Sequence, residues 1–177
     1  MKKAMIAIAC LTAALGISAE LPLASPTGKH YRATMVPHGW YLNGHASYKP
    51  TPKIDYPEDM KIIHFSDVKG KDGFSLCHLK RFNGRDGDKV VVTARVKGTG
   101  TGWFGLQLYR DSKWLAMLPV KKYPLTPEWK EITIELPVSN TSAQNAADHF
   151  MFTFGTEQGA ELFLSDLKAE LKEQSPK

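Results

Sequence analysis

The chain has 177 residues, 42% of them hydrophobic, 10% aromatic and 23% charged, with a formal net charge of +5. That length suits one domain with one buried core, and the composition excludes collagen-like, coiled-coil and wholly disordered chains. A mean hydropathy of −0.29 leaves the N-terminus as the one strongly apolar stretch.

Lys2 and Lys3 precede an apolar run from Ala4 to Ile17, and Ile17-Ser18-Ala19 ends small before Glu20. This is the pattern of a secretory signal peptide over residues 1–19, cut after Ala19, and it predicts an exported protein, periplasmic or secreted. The run is shorter than the ~20 apolar residues of a spanning helix, so no transmembrane segment is expected after signal removal. Loss of Lys2 and Lys3 lowers the net charge from +5 to +3. Loss of Cys10 leaves Cys77 with no intramolecular disulfide partner. Within Phe74-Ser75-Leu76-Cys77-His78-Leu79 that thiol reads as a small hydrophobe in a strand, without the ligand spacing of a zinc site.

Residues 20–37 form an arm punctuated by Pro22, Pro26 and Pro37, and residues 49–57 read as a second Pro-rich stretch, a surface loop. Beyond them, apolar and polar residues alternate at period two. Val90, Val92, Ala94 and Val96 share one face, as do Ile132, Ile134 and Leu136, and as do Phe150, Phe152 and Phe154. The pattern predicts strands near 39–43, 61–68, 73–82, 89–97, 103–110, 114–121, 129–138, 149–155 and 160–170. A helical turn is expected within 142–148, and no long helical stripe occurs. The fold expected over 38–171 is all-β, a two-sheet antiparallel β-sandwich or jelly roll, followed by a polar tail over 172–177.

Phe104, Leu106 and Leu108 alternate with Trp103, Gln107 and Tyr109, with the small Gly105 between, so the two sets face opposite ways. A hairpin returning through Trp114 would set Trp114 opposite Tyr109 and Gln107 opposite Ala116. Three aromatic rings around an amide suit a sugar, whose C–H face packs on rings while its hydroxyls take oriented polar groups. Arg95, outward on the preceding strand, is a candidate fork for hydroxyls or an acidic sugar. The competing reading packs these rings under a loop or a neighbouring strand. Trp40, Tyr41, Tyr48, Tyr56 and Tyr123, in or beside loops, offer a second place for a ligand platform, with the core as the competing place for Trp40, and Trp129 is assigned to structure.

Three segments carry a family resemblance: Gly87-Asp88-Lys89-Val90 through Lys97-Gly98, Leu125-Thr126-Pro127-Glu128-Trp129-Lys130-Glu131-Ile132, and Ala160-Glu161-Leu162-Phe163-Leu164-Ser165-Asp166-Leu167. From Trp40 to Leu171 the chain resembles carbohydrate-binding modules of the galactose-binding-like jelly-roll class. The resemblance implies that fold, a polysaccharide or glycan as partner, and a structural calcium near the last strand. Asp166 matches the second aspartate of the closing motif, whereas Ser165 stands where the first usually is. Calcium at Asp166 and a plain surface carboxylate there both remain open.

Catalysis is not expected. The six histidines lack metal spacing, and no nucleophile elbow, phosphate loop or placeable carboxylate pair occurs. Nucleic acid is not expected as a partner, because the basic residues are scattered among acids. The reading is an exported non-catalytic carbohydrate-binding protein, working alone or with a separate glycan-active enzyme. The alternative is a protein-interaction or envelope-assembly module.

Overall fold

The structure is a computed structural model that describes residues 18–27, 29, 35–43, 52–69, 73–139 and 147–174. Its strands form two antiparallel sheets. Sheet A has the order β11 (Lys130–Pro137), β7 (Lys89–Thr99), β13 (Glu161–Lys172), β4 (Ile63–Ser66), β3 (Lys53–Asp55), with β1 (Ser18–Glu20) also on β13. Sheet B has the order β10 (Lys121–Pro124), β8 (Thr101–Arg110), β12 (His149–Thr156), β5 (Phe74–His78), β2 (Trp40–Leu42). Two short strands complete it, β9 (Lys113–Met117) on β8 and β6 (Phe82–Asn83) on β12.

The predicted alternation decides what lies between the sheets. Val90, Val92, Ala94, Val96, Leu162 and Leu164 of sheet A meet Phe104, Leu106, Leu108, Phe150, Phe152 and Phe154 of sheet B in one continuous core. Trp40 joins them, which takes it off the loop platform and into the core, edge-on to Phe154 at 5.0 Å, with its indole N–H donating to the Ala24 carbonyl at 2.9 Å. The neighbouring Ala24 N–H donates to His78 Nε2 at 2.9 Å, fastening the arm beneath β5. Burial holds His78 below the usual imidazole range, which keeps that nitrogen an acceptor.

Two local readings change. The strand expected over 114–121 is two strands, because Pro119 has no N–H to continue the ladder. Leu118 makes the last bond, its N–H to the Leu106 carbonyl at 2.9 Å, before the chain re-pairs as β10 at the other end of β8. The loop expected over 49–57 contains β3, which buries Ile54 at the sheet edge. Residues 58–60 then turn left-handed, with φ of 55°, 52° and 66°. Most of the signal-peptide segment, and residues 142–146 of the helical turn expected at 142–148, lie outside the described residues, and 147–148 are not helical. Ser18 and Ala19 are described, and they pair with Lys172 and Leu171.

Candidate functional site

The side of sheet B turned away from the core carries its own cluster. Trp103, Gly105, Gln107 and Tyr109 of β8 alternate with core residues and therefore share this outward face. Across β12 they meet Gly155, Thr153, Met151 and His149 in register. Thr153 and Gly155 then meet Cys77 and Ser75 of β5, and Cys77 meets Tyr41 of β2. On the other side Tyr109 faces Trp114, as predicted, while Gln107 faces Met117 rather than Ala116. A bulge in β9 inserts one residue there and shifts the register.

Four of the five expected binding residues thus stand on one face, in two environments. Trp103, Gln107 and Tyr109 are 7%, 5% and 7% exposed, whereas Trp114 is 58% exposed. The expectation that all three rings look out to water fails for Trp103 and Tyr109. The Arg81 guanidinium lies 4.1 Å over the Tyr109 ring and covers it. Trp103 lies against Gly155, where an added Cβ would come within 2.7 Å of its ring. Arg95 is a clear correction. It belongs to sheet A, on the far side of the sandwich, near Trp129 and 3.8 Å from Asp166.

Beneath the rings runs a chain of polar contacts. The Tyr109 hydroxyl donates to Gln107 Oε1 at 3.1 Å, Gln107 Nε2 donates to Cys77 Sγ at 3.1 Å, and Cys77 donates to Thr153 Oγ1 at 3.3 Å. The Thr153 hydroxyl donates in turn to the Leu76 carbonyl at 2.9 Å, and the Tyr41 hydroxyl donates to Met151 Sδ at 3.0 Å. Burial raises the Tyr41 hydroxyl above its ordinary range and pushes the Cys77 thiol up. One buried polar atom of the face stands outside this chain: Ser75 Oγ has no hydrogen-bond partner among the described residues.

A thiol kept protonated and buried is a poor nucleophile. Native protein treated with iodoacetamide at mildly alkaline pH should therefore leave the Cys77 peptide unlabelled in mass spectrometry, with labelling complete in denaturant. Rapid native labelling would show that this face opens in solution.

The sequence reading placed Tyr41 among the loop aromatics and missed Ser75, Arg81, Met151 and Thr153, so none of the five was assigned to this face. For four of them the signal was present, since they alternate with the core residues Trp40, Phe74, Leu76, Phe150, Phe152 and Phe154. Arg81 had no such signal, because it follows the end of β5.

The outward side of sheet A holds a second polar group. His64 lies between Asp55 Oδ1 at 2.8 Å and Glu161 Oε1 at 2.9 Å and stacks on Phe163 at 3.9 Å. Glu161 also lines a cleft of about 450 Å³ with Ser66, Asp67, Lys69 and Thr99. Asp166, with a φ of 52° at the bulge of β13, faces the Arg95 guanidinium and the Ser165 hydroxyl. A calcium ion takes six to eight oxygen ligands. A single carboxylate beside a cation does not fit that need, and no group of three His, Cys, Asp or Glu able to hold a metal occurs among the described residues. No helix among them is long and apolar enough to cross a membrane.

No family model matches the chain, and no curated protein matches its sequence. Solved structures do match. A family 4 carbohydrate-binding module has a TM-score of 0.53 at 12% identity, over 75% of this chain and 86% of that one. A family 29 module has a TM-score of 0.53 at 13% identity, over 88% of each chain. A family 29 module from Piromyces equi has a TM-score of 0.51 at 14% identity, over 86% of this chain and 90% of that one. At such identities the likeness is one of fold, and the resemblance legible from Trp40 to Leu171 holds at that level: this chain has the two-sheet antiparallel β-sandwich of these carbohydrate-binding modules.

Proposed function

We propose that this protein is an exported, non-catalytic glycan-binding protein whose ligand lies on the outward face of sheet B, alone or beside a separate glycan-active enzyme. One observation carries the reading. The large hydrophobic side chains exposed among the described residues, Leu79 at 54%, Trp114 at 58% and Met117 at 36%, all border that face. Trp114 and Met117 stand on β9 opposite Tyr109 and Gln107. Leu79 follows Cys77 by two residues, and its N–H extends the ladder to the Gly39 carbonyl at 2.8 Å. Soluble proteins seldom gather apolar side chains at one place without a partner for them. Likeness to carbohydrate-binding modules supports a sugar as that partner.

The roles differ from those expected of three equivalent rings. Trp114 is the stacking surface, because its ring is open to a pyranose C–H face. Trp103 and Tyr109 are supports, and Gln107 spends its oxygen and one donor holding Tyr109 and Cys77 in place.

Affinity electrophoresis in polysaccharide gels tests this. The protein should be retarded by at least one polysaccharide, and Trp114→Ala should weaken that retardation about tenfold, the effect of losing roughly 1.4 kcal/mol of ring contact. Unchanged retardation in folded Trp114→Ala would remove the site from this face. The rival reading, a surface that docks a partner protein, draws on the same exposed side chains. Absence of retardation in every gel, with Trp114-dependent self-association on size exclusion, would favour it.

A further inference from the structure

We infer that the glycan held on sheet B carries anionic groups, carboxylate or sulfate, and that Arg81 is the residue that reads them. The inference rests on the glycan-binding reading above and adds the class of sugar. Its basis is the pairing of charges around the face. Lys122, the register partner of Trp103, is neutralised by Glu157, and His149, the register partner of Tyr109, contacts Asp148 at 2.7 Å. Arg81 differs from both. Its guanidinium carbon lies 4.1 Å over the Tyr109 ring centroid, and it has no carboxylate partner among the described residues.

The arrangement has a physical logic. Stacking on an aromatic ring uses the face of a guanidinium and leaves its edge donors free. Those donors form a planar fork that matches a carboxylate or a sulfate oxygen pair, and such charge-assisted bonds are about twice as strong as neutral ones. Tyr109 is itself fixed, since its hydroxyl donates to Gln107 Oε1 at 3.1 Å, so the platform under Arg81 does not move. Trp114 stands directly opposite Tyr109 on the neighbouring strand. A pyranose stacked on Trp114 therefore has its substituents beside the Arg81 fork. The positive net charge of the chain acts in the same direction, by drawing polyanions towards the surface.

The test compares gels of polygalacturonate with gels of neutral hydroxyethylcellulose. The wild-type protein should be retarded more strongly by the acidic polymer. Arg81→Gln should raise the apparent Kd for polygalacturonate about tenfold and abolish the preference over the neutral gel. Arg81→Lys should fall between, since an ammonium keeps the charge and loses the fork. Lys130→Gln removes the same charge from exposed sheet A and should leave the preference intact. An equal loss in Lys130→Gln would reduce the effect to net charge and overturn the inference. Stronger retardation of wild type by the neutral polymer would also overturn it, with Arg81 left as a cover for Tyr109 and the glycan reading intact. Retardation by neither polymer nor any other glycan would overturn both.

Discussion

Phe154→Ala should lower the stability of the protein by about 3–5 kcal/mol, the usual cost of truncating a fully buried phenylalanine. The upper part of that range applies here. Phe154 is fully buried, edge-on to Trp40 at 5.0 Å and stacked near Phe65 at 5.8 Å, so it joins the rings of both sheets. Its strand is also held on both sides, Phe154 lying in register with Phe104 of β8 and Leu76 of β5. A strand tied to two neighbours cannot sink into the space a lost ring leaves, and the cavity persists. Urea unfolding measures the effect, with the midpoint falling at unchanged slope. A loss under about 1 kcal/mol would mean that the sheets do not close over this ring as described.

The parts of the fold that were legible in the sequence are those where period two runs long enough to exclude other patterns. In β7, β11 and β12 every second residue is apolar for six residues or more, and the faces assigned from that alternation are the faces observed. β3 is three residues long, too short for a period to show, whereas β2, equally short, falls within the strand expected near 39–43. The division of β9 from β10 was written in Pro119, but the apolar residues on either side masked it.

Alternation reports which residues share a side of a strand and is silent on which sheet the strand joins. Arg95 shows the consequence. β7 and β8 are consecutive and separated by Gly100 alone, which invites a hairpin, yet β7 pairs with β11 and β13 while β8 pairs with β12, β9 and β10. The chain crosses between sheets at that corner. Gly98, with φ of 143°, lies so close to β13 that a Cβ would stand 1.9 Å from the Glu161 carbonyl oxygen, and Gly100 follows with φ of 84°. Neither angle suits a residue with a side chain. The glycines signalled a sharp turn, and the long-range approach of β13 that makes it a crossing is not a local property. The same holds for Arg81 over Tyr109, a contact between residues far apart in sequence that meet because β12 pairs with β8 on one side and with β6, which follows Arg81, on the other.

Gly155→Ala is expected to be the most damaging small substitution on the outward face, and Gly105→Ala supplies its control. Replacing a strand glycine by alanine ordinarily favours folding by roughly 0.5–1 kcal/mol, through the entropy of the unfolded chain. At Gly155 the added Cβ would stand 2.1 Å from the Phe74 carbonyl oxygen, 2.7 Å from Trp103 Cζ2 and 2.8 Å from Ser75 Cβ. The first of these is backbone of a paired strand and cannot swing away, so β5 and β12 must part or Trp103 must leave its seat. Overpacking of this kind costs typically 1–3 kcal/mol, and the upper end applies where backbone has to move. At Gly105 the nearest atoms are Val120 Cγ1 at 3.1 Å, Met117 Cε at 3.4 Å and Thr153 Cγ2 at 3.4 Å, all ends of side chains that can yield. Gly105→Ala should therefore change stability by less than about 1 kcal/mol. Gly155→Ala should also alter tryptophan fluorescence and weaken glycan retardation, because the strain falls on Trp103, a support of the stacking face. Equal stability and equal fluorescence in the two variants would contradict the close seating of Trp103 on β12, and with it the rigid support this face is argued to give its ligand.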